Sequence, residues 1–210
     1  VRSIIALFGL GADDAVFAPS PLTHITGYLF GVLMPPMLGS AALCLALWAA
    51  AKGATLVEEN GCRFIMAATP FLQGLADAYD RCGTKSALKT FLCGGADVPP
   101  ALIRRAREIM GTEVSRIYGS SEFPTFCTGR PGDDLAIAAD TDGMSIGPVS
   151  CRLDDVGDGL GELLVKGPDL FVGYSDPVLN RDAFTADGYF RTGDLARIAP
   201  YAVNVQIKTE

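Results

Sequence analysis

The chain has 210 residues, 49% of them hydrophobic, which is enough apolar material for one large domain or two small ones. Its net charge is −7 and no basic stripe is visible, so the composition argues against nucleic-acid binding. Six cysteines occur without a CxxC spacing, which favours reduced thiols in a cytosolic (cytoplasmic) protein over a metal site or a disulfide framework.

Two features of the sequence help to classify the protein: the start of the chain and one uncharged stretch. Val1 runs directly into an apolar, helix-like segment with no signal peptide, a pattern more typical of an internal piece than of a natural start. Residues 25–51 carry no charge and are long enough to cross a bilayer. Pro35-Pro36 interrupts them near the middle, which favours two shorter buried elements over a transmembrane segment.

Apolar runs bounded by glycine and proline predict alternating helices and strands in the first part of the chain. Helices are predicted over residues 1–10 (ending before Gly11), 26–33 and 71–79, and strands over residues 15–18 and 64–68. Residues 42–57 are alanine-rich without a clear period, so they fit either structure.

The middle of the chain carries the clearest helix and strand signals. Leu88 to Cys93 reads as a strand. The helix that follows is predicted to have Asp97 as its cap, to reach Met110 and to stop before Gly111. Val114 to Tyr118 is the next strand. Strand, helix and strand in this order predict an α/β layer, with a parallel sheet and flanking helices.

After about residue 123, glycine, aspartate and proline become frequent. Residues 151–153 and 162–165, separated by Asp158-Gly159, read as a β-hairpin. We therefore predict an α/β subdomain over residues 1–125 and a smaller, β-rich, barrel-like subdomain over residues 126–198.

One cluster carries residue types suited to nucleotide chemistry. Tyr118-Gly119-Ser120-Ser121-Glu122 follows a strand directly, where parallel sheets bind their ligands. An aromatic ring can stack on a nucleobase, glycine lets a ligand approach the backbone, a hydroxyl can donate to phosphate, and a carboxylate can hold Mg²⁺. The alternative is an ordinary loop with a capping serine.

Two further clusters are less specific when taken alone. Residues 189–194 end on Asp194, which is suited to accept hydrogen bonds from both ribose hydroxyls or to occupy an exposed turn. Residues 21–27 contain His24, the single histidine, and a lone histidine is commonly structural. His24 lies at the same sheet end as Tyr118 if both preceding strands are parallel.

In this order, the clusters resemble the adenylate-forming (AMP-binding) superfamily, which includes acyl-CoA synthetases, the adenylation domains of peptide synthetases and firefly luciferase. The similar stretches are Pro-Leu-Thr-His from Pro21, Gly-Gly-Ala from Gly94, the Tyr118 cluster, Gly-Tyr-Phe-Arg-Thr-Gly-Asp ending at Asp194, and residues 145–148, 161–168 and 172–174. The resemblance covers residues 1 to about 198, and residues 94–99 are most similar to the acyl-CoA synthetase (fatty-acid-CoA ligase) branch. It implies part of that family's large N-terminal domain.

The resemblance also implies site residues. Catalytic roles fall to His24, Ser121 and Glu122, metal binding to Glu122, and nucleotide binding to Gly94, Gly95, Ala96, Tyr118, Gly119, Ser120, Ser121 and Asp194. Tyr118 would stack on adenine, and Asp194 would hold the ribose hydroxyls. Ser121, where the family usually has threonine, would bond the α-phosphate through the same hydroxyl. His24 would line the junction of carboxylate and phosphate.

The implied activity is AMP-forming acid–thiol ligation with ATP, Mg²⁺ and CoA as co-substrate. A carboxylic acid would attack the α-phosphate of ATP, and the thiol of CoA would then displace AMP from the acyl-adenylate. The apolar run from Ile25 to Met34 suits a fatty or cyclic apolar acid. Two alternatives remain open: an adenylation domain that loads a carrier protein, and a non-catalytic nucleotide-binding remnant.

Two parts of the family pattern are not matched. The glycine-rich phosphate loop would precede residue 1, and the hinge sequence would follow Asp194. Residues 199–210 do not resemble the family, and Lys208 does not correspond to its catalytic lysine. We therefore expect the 210-residue chain alone to be inactive as a ligase, and apolar faces at its cut edges leave homo-oligomer formation open.

Overall fold

The computed structural model describes residues 1–155, 157–199 and 202–206. Its helices are α1 (Arg2–Phe8), α2 (Ile25–Gly27), α3 (Met34–Leu38), α4 (Ala50–Glu59), α5 (Thr69–Cys82), α6 (Pro100–Met110), α7 (Leu135–Asp140) and α8 (Asn180–Ala183). Its strands are β1 (Ala15–Ala18), β2 (Ala42–Cys44), β3 (Cys62–Ala67), β4 (Thr90–Cys93), β5 (Glu113–Tyr118), β6 (Cys127–Thr128), β7 (Met144–Ser145), β8 (Ser150–Asp155), β9 (Gly161–Lys166), β10 (Phe190–Ala199) and β11 (Ala202–Gln206). A π-helical segment, Tyr28–Leu33, joins α2 to α3.

The first sheet has seven strands in the order β2-β1-β3-β4-β5-β6-β7. The strands from β2 to β5 in this order are parallel, whereas β6 and β7 are each antiparallel to the strand before them. Central strands of such a sheet are covered on both faces, which explains why every residue of β4 is buried. The predicted parallel sheet with flanking helices is confirmed.

Helices cover the two faces of this sheet with separate apolar cores. Ile65 and Phe91 belong to the core beneath α4, α5 and α6. Their neighbours Phe64 and Leu92 belong to the core beneath α1 and the π-helical segment. Because successive side chains of a strand point to opposite faces, β3 and β4 contribute to both cores and hold the layers together.

Glycine and proline set the helix limits, but two predicted limits were wrong. The first helix ends before Gly9, not Gly11, because Gly9 adopts φ 59 as its C-cap. The N-cap of α6 is Pro99, not Asp97, because the following Pro100 holds Pro99 in an extended conformation. The helix ends before Gly111 as predicted.

The uncharged stretch of residues 25–51 forms several short elements. It contains α2, the π-helical segment, α3 and β2, and it leads into α4, so residues 42–57 hold both a strand and a helix. Within the described residues, the structure contains no helix that combines the length and the apolar character needed to cross a membrane.

The second sheet has four antiparallel strands in the order β11-β10-β9-β8. Strands β8 and β9 form the predicted hairpin, with Asp158 at φ 53 in its turn. Strand β7 still belongs to the first sheet, so the change of sheet lies between Ser145 and Ser150, later than the limit predicted after residue 125. Strands β6 and β7 have two residues each, which is too short for an alternating pattern to reveal them. The division into subdomains stays a prediction.

A third core joins the two sheets. It contains Tyr118 and Phe126 from the end of the first sheet, and Leu163 and Phe190 from β9 and β10. Since one apolar cluster takes residues from both sheets, their relative placement is fixed by packing as well as by the chain connection.

Part of the tail predicted over residues 199–210 is built into the second sheet. Val203 and Val205 of β11 are buried in the third core, and β11 pairs along the end of β10. The rest of the predicted tail, residues 200–201 and 207–210 with Lys208, lies outside the described residues.

Candidate functional site

A cavity of about 230 Å³ opens at the carboxyl ends of the central strands, where parallel sheets bind ligands. Its lining residues come from four separate segments of the chain: His24, Ile25, Thr26, Met66, Gly95, Ile117, Gly119, Ser120, Ser121 and Pro124. Parallel strands place all four segments at one edge of the sheet. The structure thus brings together in one cavity five of the residues predicted for the site.

His24 has a structural contact and also faces the cavity. Its Nδ1 accepts a hydrogen bond of 3.2 Å from the backbone N–H of Thr26, which makes it the N-cap of α2. An accepting Nδ1 assigns the proton of the neutral ring to Nε2. The side chain is exposed at the cavity, so both interpretations of the lone histidine are compatible with its position.

The glycines after β4 allow the backbone to come close to β5. A Cβ added to Gly94 would lie 2.0 Å from the carbonyl oxygen of Ile117, so only glycine fits there. Gly95 adopts φ 83 and lines the cavity. Ala96 is exposed beside it. Of these three predicted residues, Gly95 faces the cavity directly and Gly94 permits the close packing beneath it.

The loop after β5 is a tight turn closed by Ser120. The Ser120 N–H donates to the carbonyl oxygen of Phe123 at 3.0 Å, and the Ser120 Oγ accepts from the N–H groups of Glu122 and Phe123 at 3.2 Å each. Gly119 is required because a Cβ would lie 2.4 Å from the Pro124 carbonyl oxygen. The turn leaves Ser121 exposed at the cavity. Ser120 therefore caps this turn rather than a helix.

Glu122 is held by a tyrosine that was not predicted as a site residue. The Tyr174 hydroxyl donates to Glu122 Oε1 at 2.9 Å, and burial together with this carboxylate raises the pKa of Tyr174. Asn180 fixes Tyr174 in turn, since its Oδ1 accepts from the Tyr174 N–H at 2.7 Å and its Nδ2 donates to the Tyr174 carbonyl at 3.0 Å. Residues 172–174 resemble the family in sequence, but only the fold shows the contact of Tyr174 with Glu122.

Tyr118 and Asp194 meet although they are far apart in the chain. The Tyr118 hydroxyl donates to Asp194 Oδ2 at 2.6 Å. Burial, and then the neighbouring Asp194 carboxylate, raise the pKa of Tyr118. The Tyr118 side chain is only 6% exposed, and its ring packs edge-on against Phe126 with 6.3 Å between the centroids. The two predicted nucleotide residues are thus adjacent, with Tyr118 largely covered.

A bulge in β10 presents Asp194. The pairing with β9 shifts register between Arg191 and Leu195, and Gly193 adopts φ 77. Thr192 Oγ1 donates to the carbonyl oxygen of Leu163 at 2.8 Å and accepts from the Asp194 N–H at 3.1 Å. The bulge turns Asp194 toward β5.

The described residues contain no group of three or more His, Cys, Asp or Glu side chains arranged to hold a metal ion. Mg²⁺ at nucleotide sites is commonly held by one or two carboxylates together with phosphate oxygens and water. The single carboxylate of Glu122 next to the cavity fits that mode and does not form a metal cage by itself.

Comparisons with known proteins agree with this geometry. Residues 1–175 match the model of the AMP-binding enzyme family. The medium-chain fatty-acid–CoA ligase of Escherichia coli K12 is 31% identical over 205 residues, covering 94% of this chain and 36% of the ligase. The 2-succinylbenzoate–CoA ligase of Enterococcus faecalis is 27% identical, covering 89% of this chain and 39% of the relative. The chain thus spans less than half the length of these relatives.

Solved structures with the same fold are similar over nearly the whole chain. The O-succinylbenzoate coenzyme A synthetase of Bacillus subtilis, in complex with ATP and magnesium ion, has a TM-score of 0.85 at 22% identity and covers 97% of this chain. A malonyl-CoA ligase ternary product complex with methylmalonyl-CoA and AMP has a TM-score of 0.85 at 25% identity; the match covers 99% of this chain and 47% of that one. The fold and the sequence agree, and the chain belongs to the AMP-binding enzyme family.

Proposed function

We propose that this chain supplies the nucleotide and acyl site of an AMP-forming acid–thiol ligase, which activates a carboxylic acid with ATP and transfers the acyl group to CoA. The observation that carries the proposal is the convergence of His24, Gly95 and Ser121 on one cavity. Tyr118 and Glu122 flank the cavity-lining residues 119–121, and Tyr118 contacts Asp194. Relatives named as CoA ligases support the reaction class.

Asp194 and Tyr118 are proposed to bind the nucleoside. A carboxylate next to a nucleotide can accept hydrogen bonds from both ribose hydroxyls. Stacking of adenine on Tyr118 needs a larger open ring surface than the present 6% exposure. We therefore expect the Tyr118 side chain or its Phe126 neighbour to shift when nucleotide binds.

Ser121, Glu122 and His24 are proposed to act where the acid meets the phosphate. The exposed Ser121 hydroxyl can donate to an α-phosphate oxygen. Glu122 would hold Mg²⁺, which neutralises phosphate charge when bound. Because Thr26 orients the His24 ring through Nδ1, the Nε2–H can donate to an anionic oxygen in the cavity.

These groups would assist two displacements. In the first, a carboxylate oxygen of the acid forms a bond to the α-phosphorus while the bond to pyrophosphate breaks. In the second, the CoA sulfur, having lost its proton, forms a bond to the acyl carbon while the bond to the AMP oxygen breaks. Neither displacement needs a covalent protein nucleophile. Cys93, the last residue of β4, would be a poor nucleophile, because burial raises the pKa of its thiol to about 12.

An apolar acid is the proposed substrate class. Ile25, Met66 and Ile117 give the cavity an apolar side. Relatives named for a medium-chain fatty acid and for a methylated bicyclic propanoic acid support this choice. A cytosolic location is part of the proposal, supported by the six free cysteines.

Loading of a carrier protein is the second candidate. Triostin synthetase I of Streptomyces triostinicus is 29% identical over 208 residues, and the nonribosomal peptide synthetase kk1B of Curvularia clavata is 28% identical over 224 residues. Assays of acyl transfer to CoA and to a carrier protein would therefore decide which thiol is the acceptor.

Nucleotide binding tests the site in this chain directly. We expect calorimetric titration to show AMP binding, and Asp194→Ala to weaken it about tenfold or more, because a hydrogen bond to a charged group is lost. Asp154→Ala is the matched control, since Asp154 pairs with Arg191 in the same sheet, away from the cavity. Equal binding by both variants would contradict the assignment of Asp194.

The reaction is tested in a protein of the relatives' full length that contains this chain. We expect AMP release that depends on ATP, Mg²⁺ and CoA with medium-chain or cyclic acids. Inactivity with CoA together with loading of a carrier protein would replace the ligase by the second candidate. Nucleotide binding without either reaction would favour a non-catalytic role.

A further inference from the structure

A buried aspartate helps to tie the two sheets together next to the site, alongside a hydrogen bond of 2.7 Å from the Val203 N–H to the carbonyl oxygen of Gly143. Asp142 Oδ1 accepts from Arg116 Nε at 3.0 Å, and Asp142 Oδ2 accepts from the N–H of Val205 at 2.8 Å. The Asp142 N–H donates to the carbonyl oxygen of Val203 at 2.9 Å. We call the three hydrogen bonds of Asp142 the Asp142 link. Its two side chains are largely buried, with Arg116 12% and Asp142 6% exposed.

The Asp142 link and the Tyr118–Asp194 contact close a ring between the sheets. Arg116 and Tyr118 are two residues apart on β5, so their side chains leave the same face of the strand. On the other side of the ring, Val205 pairs with Ala196, which lies two residues beyond Asp194 on β10. Strand β5 of the first sheet is therefore connected at two neighbouring points to the paired strands β10 and β11 of the second.

Asp194 lies in a bulge that both neighbouring strands hold in place. On one edge of β10, the pairing with β9 stops at Arg191 and resumes at Leu195, and the Thr192 hydroxyl bonds to β9 within the bulge. On the other edge, the pairing with β11 begins at Leu195. Strand β11 is therefore a second support of the segment that carries Asp194, and the Asp142 link holds β11 against β5.

We propose that Arg116 and Asp142 are positioning residues of the nucleotide site, which hold Asp194 at hydrogen-bond distance from Tyr118. Neither residue lines the cavity. The role of the pair in nucleotide binding rests on the proposed function of Asp194, whereas its effect on the Tyr118–Asp194 contact does not.

The contact is tested first without nucleotide. In a chain labelled with ¹³C at the tyrosine ring carbon that bears the hydroxyl, Tyr118→Phe assigns the Tyr118 resonance. Asp194→Asn shows the shift of that resonance when the carboxylate acceptor is lost. We expect Asp142→Ala to move the resonance in the same direction. Arg116→Gln serves as a second, milder variant if Asp142→Ala does not fold.

Asp14→Ala is the matched control for a purely structural effect. Asp14 is a similarly buried aspartate with one basic partner, Lys89 Nζ at 2.7 Å, and one backbone donor, the N–H of Gly11 at 2.9 Å. It precedes β1, so it lies at the edge of the sheet opposite the cavity. We expect Asp14→Ala to lower stability but to leave the Tyr118 resonance unchanged.

Nucleotide selectivity is the second readout. AMP offers two ribose hydroxyls to Asp194 and 2′,3′-dideoxy-AMP offers none, so the unsubstituted chain is expected to prefer AMP about tenfold or more. Asp142→Ala should reduce that preference to about threefold or less. Asp142→Asn, which keeps an acceptor of the same shape, should retain more of it, and Asp14→Ala all of it.

The two readouts separate the possible failures. An unshifted Tyr118 resonance and full selectivity in folded Asp142→Ala or Arg116→Gln would overturn the positioning role. Equal affinity of the unsubstituted chain for both nucleotides would overturn the proposed role of Asp194 in ribose binding. The same changes in Asp14→Ala would show a general effect of destabilisation and would also overturn the inference.

Discussion

At the scale of single residues, two buried aspartates with similar partners have pKa values that are shifted in opposite directions. Burial would raise the pKa of Asp14, but hydrogen bonds from Lys89 and Gly11 outweigh it, and the pKa lies below its usual value. For Asp142, burial outweighs the attraction of Arg116 and the Val205 N–H, and the pKa is raised. Asp142 lies between two sheets, where less water remains to solvate the carboxylate.

The two aspartates therefore contribute to stability with opposite pH dependence. The stability from Asp14 is present above the unfolded-state pKa of about 3.9 and is lost as pH falls through the lower folded-state pKa. The contribution of Asp142 is fully present below that value and is lost as pH rises through the higher folded-state pKa. In urea denaturation, the stability of the unsubstituted chain relative to Asp14→Asn should rise with pH below about pH 4 and then level off. Its stability relative to Asp142→Asn should fall with pH above about pH 4. Parallel trends would contradict the two environments.

Gly94 gives a second prediction at this scale. Gly94→Ala should destabilise the chain by about 1–3 kcal/mol, because its Cβ would lie 2.0 Å from a backbone oxygen that cannot move freely. Gly11→Ala is the control, since a Cβ there meets nothing within 4 Å, and it should be neutral or slightly stabilising. Thermal or urea denaturation measures both, and an equal effect would be inconsistent with the close approach of β4 and β5.

At the scale of elements, the segment between β9 and α8 has no regular structure of its own and relies on Asn180. The two hydrogen bonds from Asn180 to the backbone of Tyr174 close this segment, and Tyr174 then bonds to Glu122. Val172 and Val178 are strongly exposed in the same segment. Leu170 and Phe171 hold the start of the segment against the third core, so the clamp acts mainly on the residues that follow Phe171.

Loss of the Asn180 clamp should open this segment locally. We expect Asn180→Ala to raise the amide hydrogen exchange of residues 172–178 by about tenfold, since the local opening free energy falls by about one hydrogen bond. Asn60→Ala removes a hydrogen bond from the exposed end of α4 and serves as the control. Unchanged exchange in Asn180→Ala would show that Tyr174 is held by other contacts.

The elements also show what could be predicted from the sequence. Strands β1, β3 and β4 are largely apolar runs followed closely by glycine or proline, and β5 is followed by Gly119, so their local signals are strong. Asp97 carried the preferred residue type for a helix cap, but the backbone restriction of Pro99-Pro100 prevailed. Strands β6 and β7 have two residues each, which is too short to show an alternating pattern. Because both belong to the first sheet, the chain enters the second sheet later than residue 125.

The candidate site was only partly predictable for a related reason. His24, Gly95, Ser121 and Asp194 lie in short stretches with specific residue order. Tyr174, by contrast, acts through a contact across 52 positions of the chain. Such a contact depends on the path of the intervening strands, which residue order alone does not provide.

At the scale of the whole molecule, the third core makes the two sheets one packing unit. Burial raises the pKa of Cys62 to about 11 and of Cys93 to about 12, and places that of Cys127 well above its usual value. Cys93 and Cys127 both lie in strands of the first sheet, and Cys127 is also buried in the third core, whereas Cys44 and Cys82 are exposed. The thiols therefore differ in burial, and their reactivity can report on the unfolding of different parts of the structure.

Thiol labelling tests whether the two sheets unfold together. In native buffer we expect rapid alkylation of the exposed Cys44 and Cys82. The buried Cys62, Cys93 and Cys127 should react slowly, because a buried, protonated thiol is a poor nucleophile. With increasing urea, Cys93 and Cys127 should become reactive at the same midpoint. Mass spectrometry of the labelled peptides measures each site, and an earlier midpoint for Cys127 would show that the second sheet separates first.

The single tryptophan of the chain reports on only one side of this architecture. Trp48 packs edge-on against Phe71, with 4.9 Å between the ring centroids, and belongs to the edge of the core beneath α4, α5 and α6. Indole emission will therefore follow the environment of α4 and α5 and will be nearly blind to the second sheet, where the aromatic residues are tyrosines and phenylalanines. Trp48 emission senses the first sheet directly, and an indole introduced by Phe190→Trp would give the second sheet its own optical signal, so that melting curves of the two indoles would coincide if the sheets unfold as one unit.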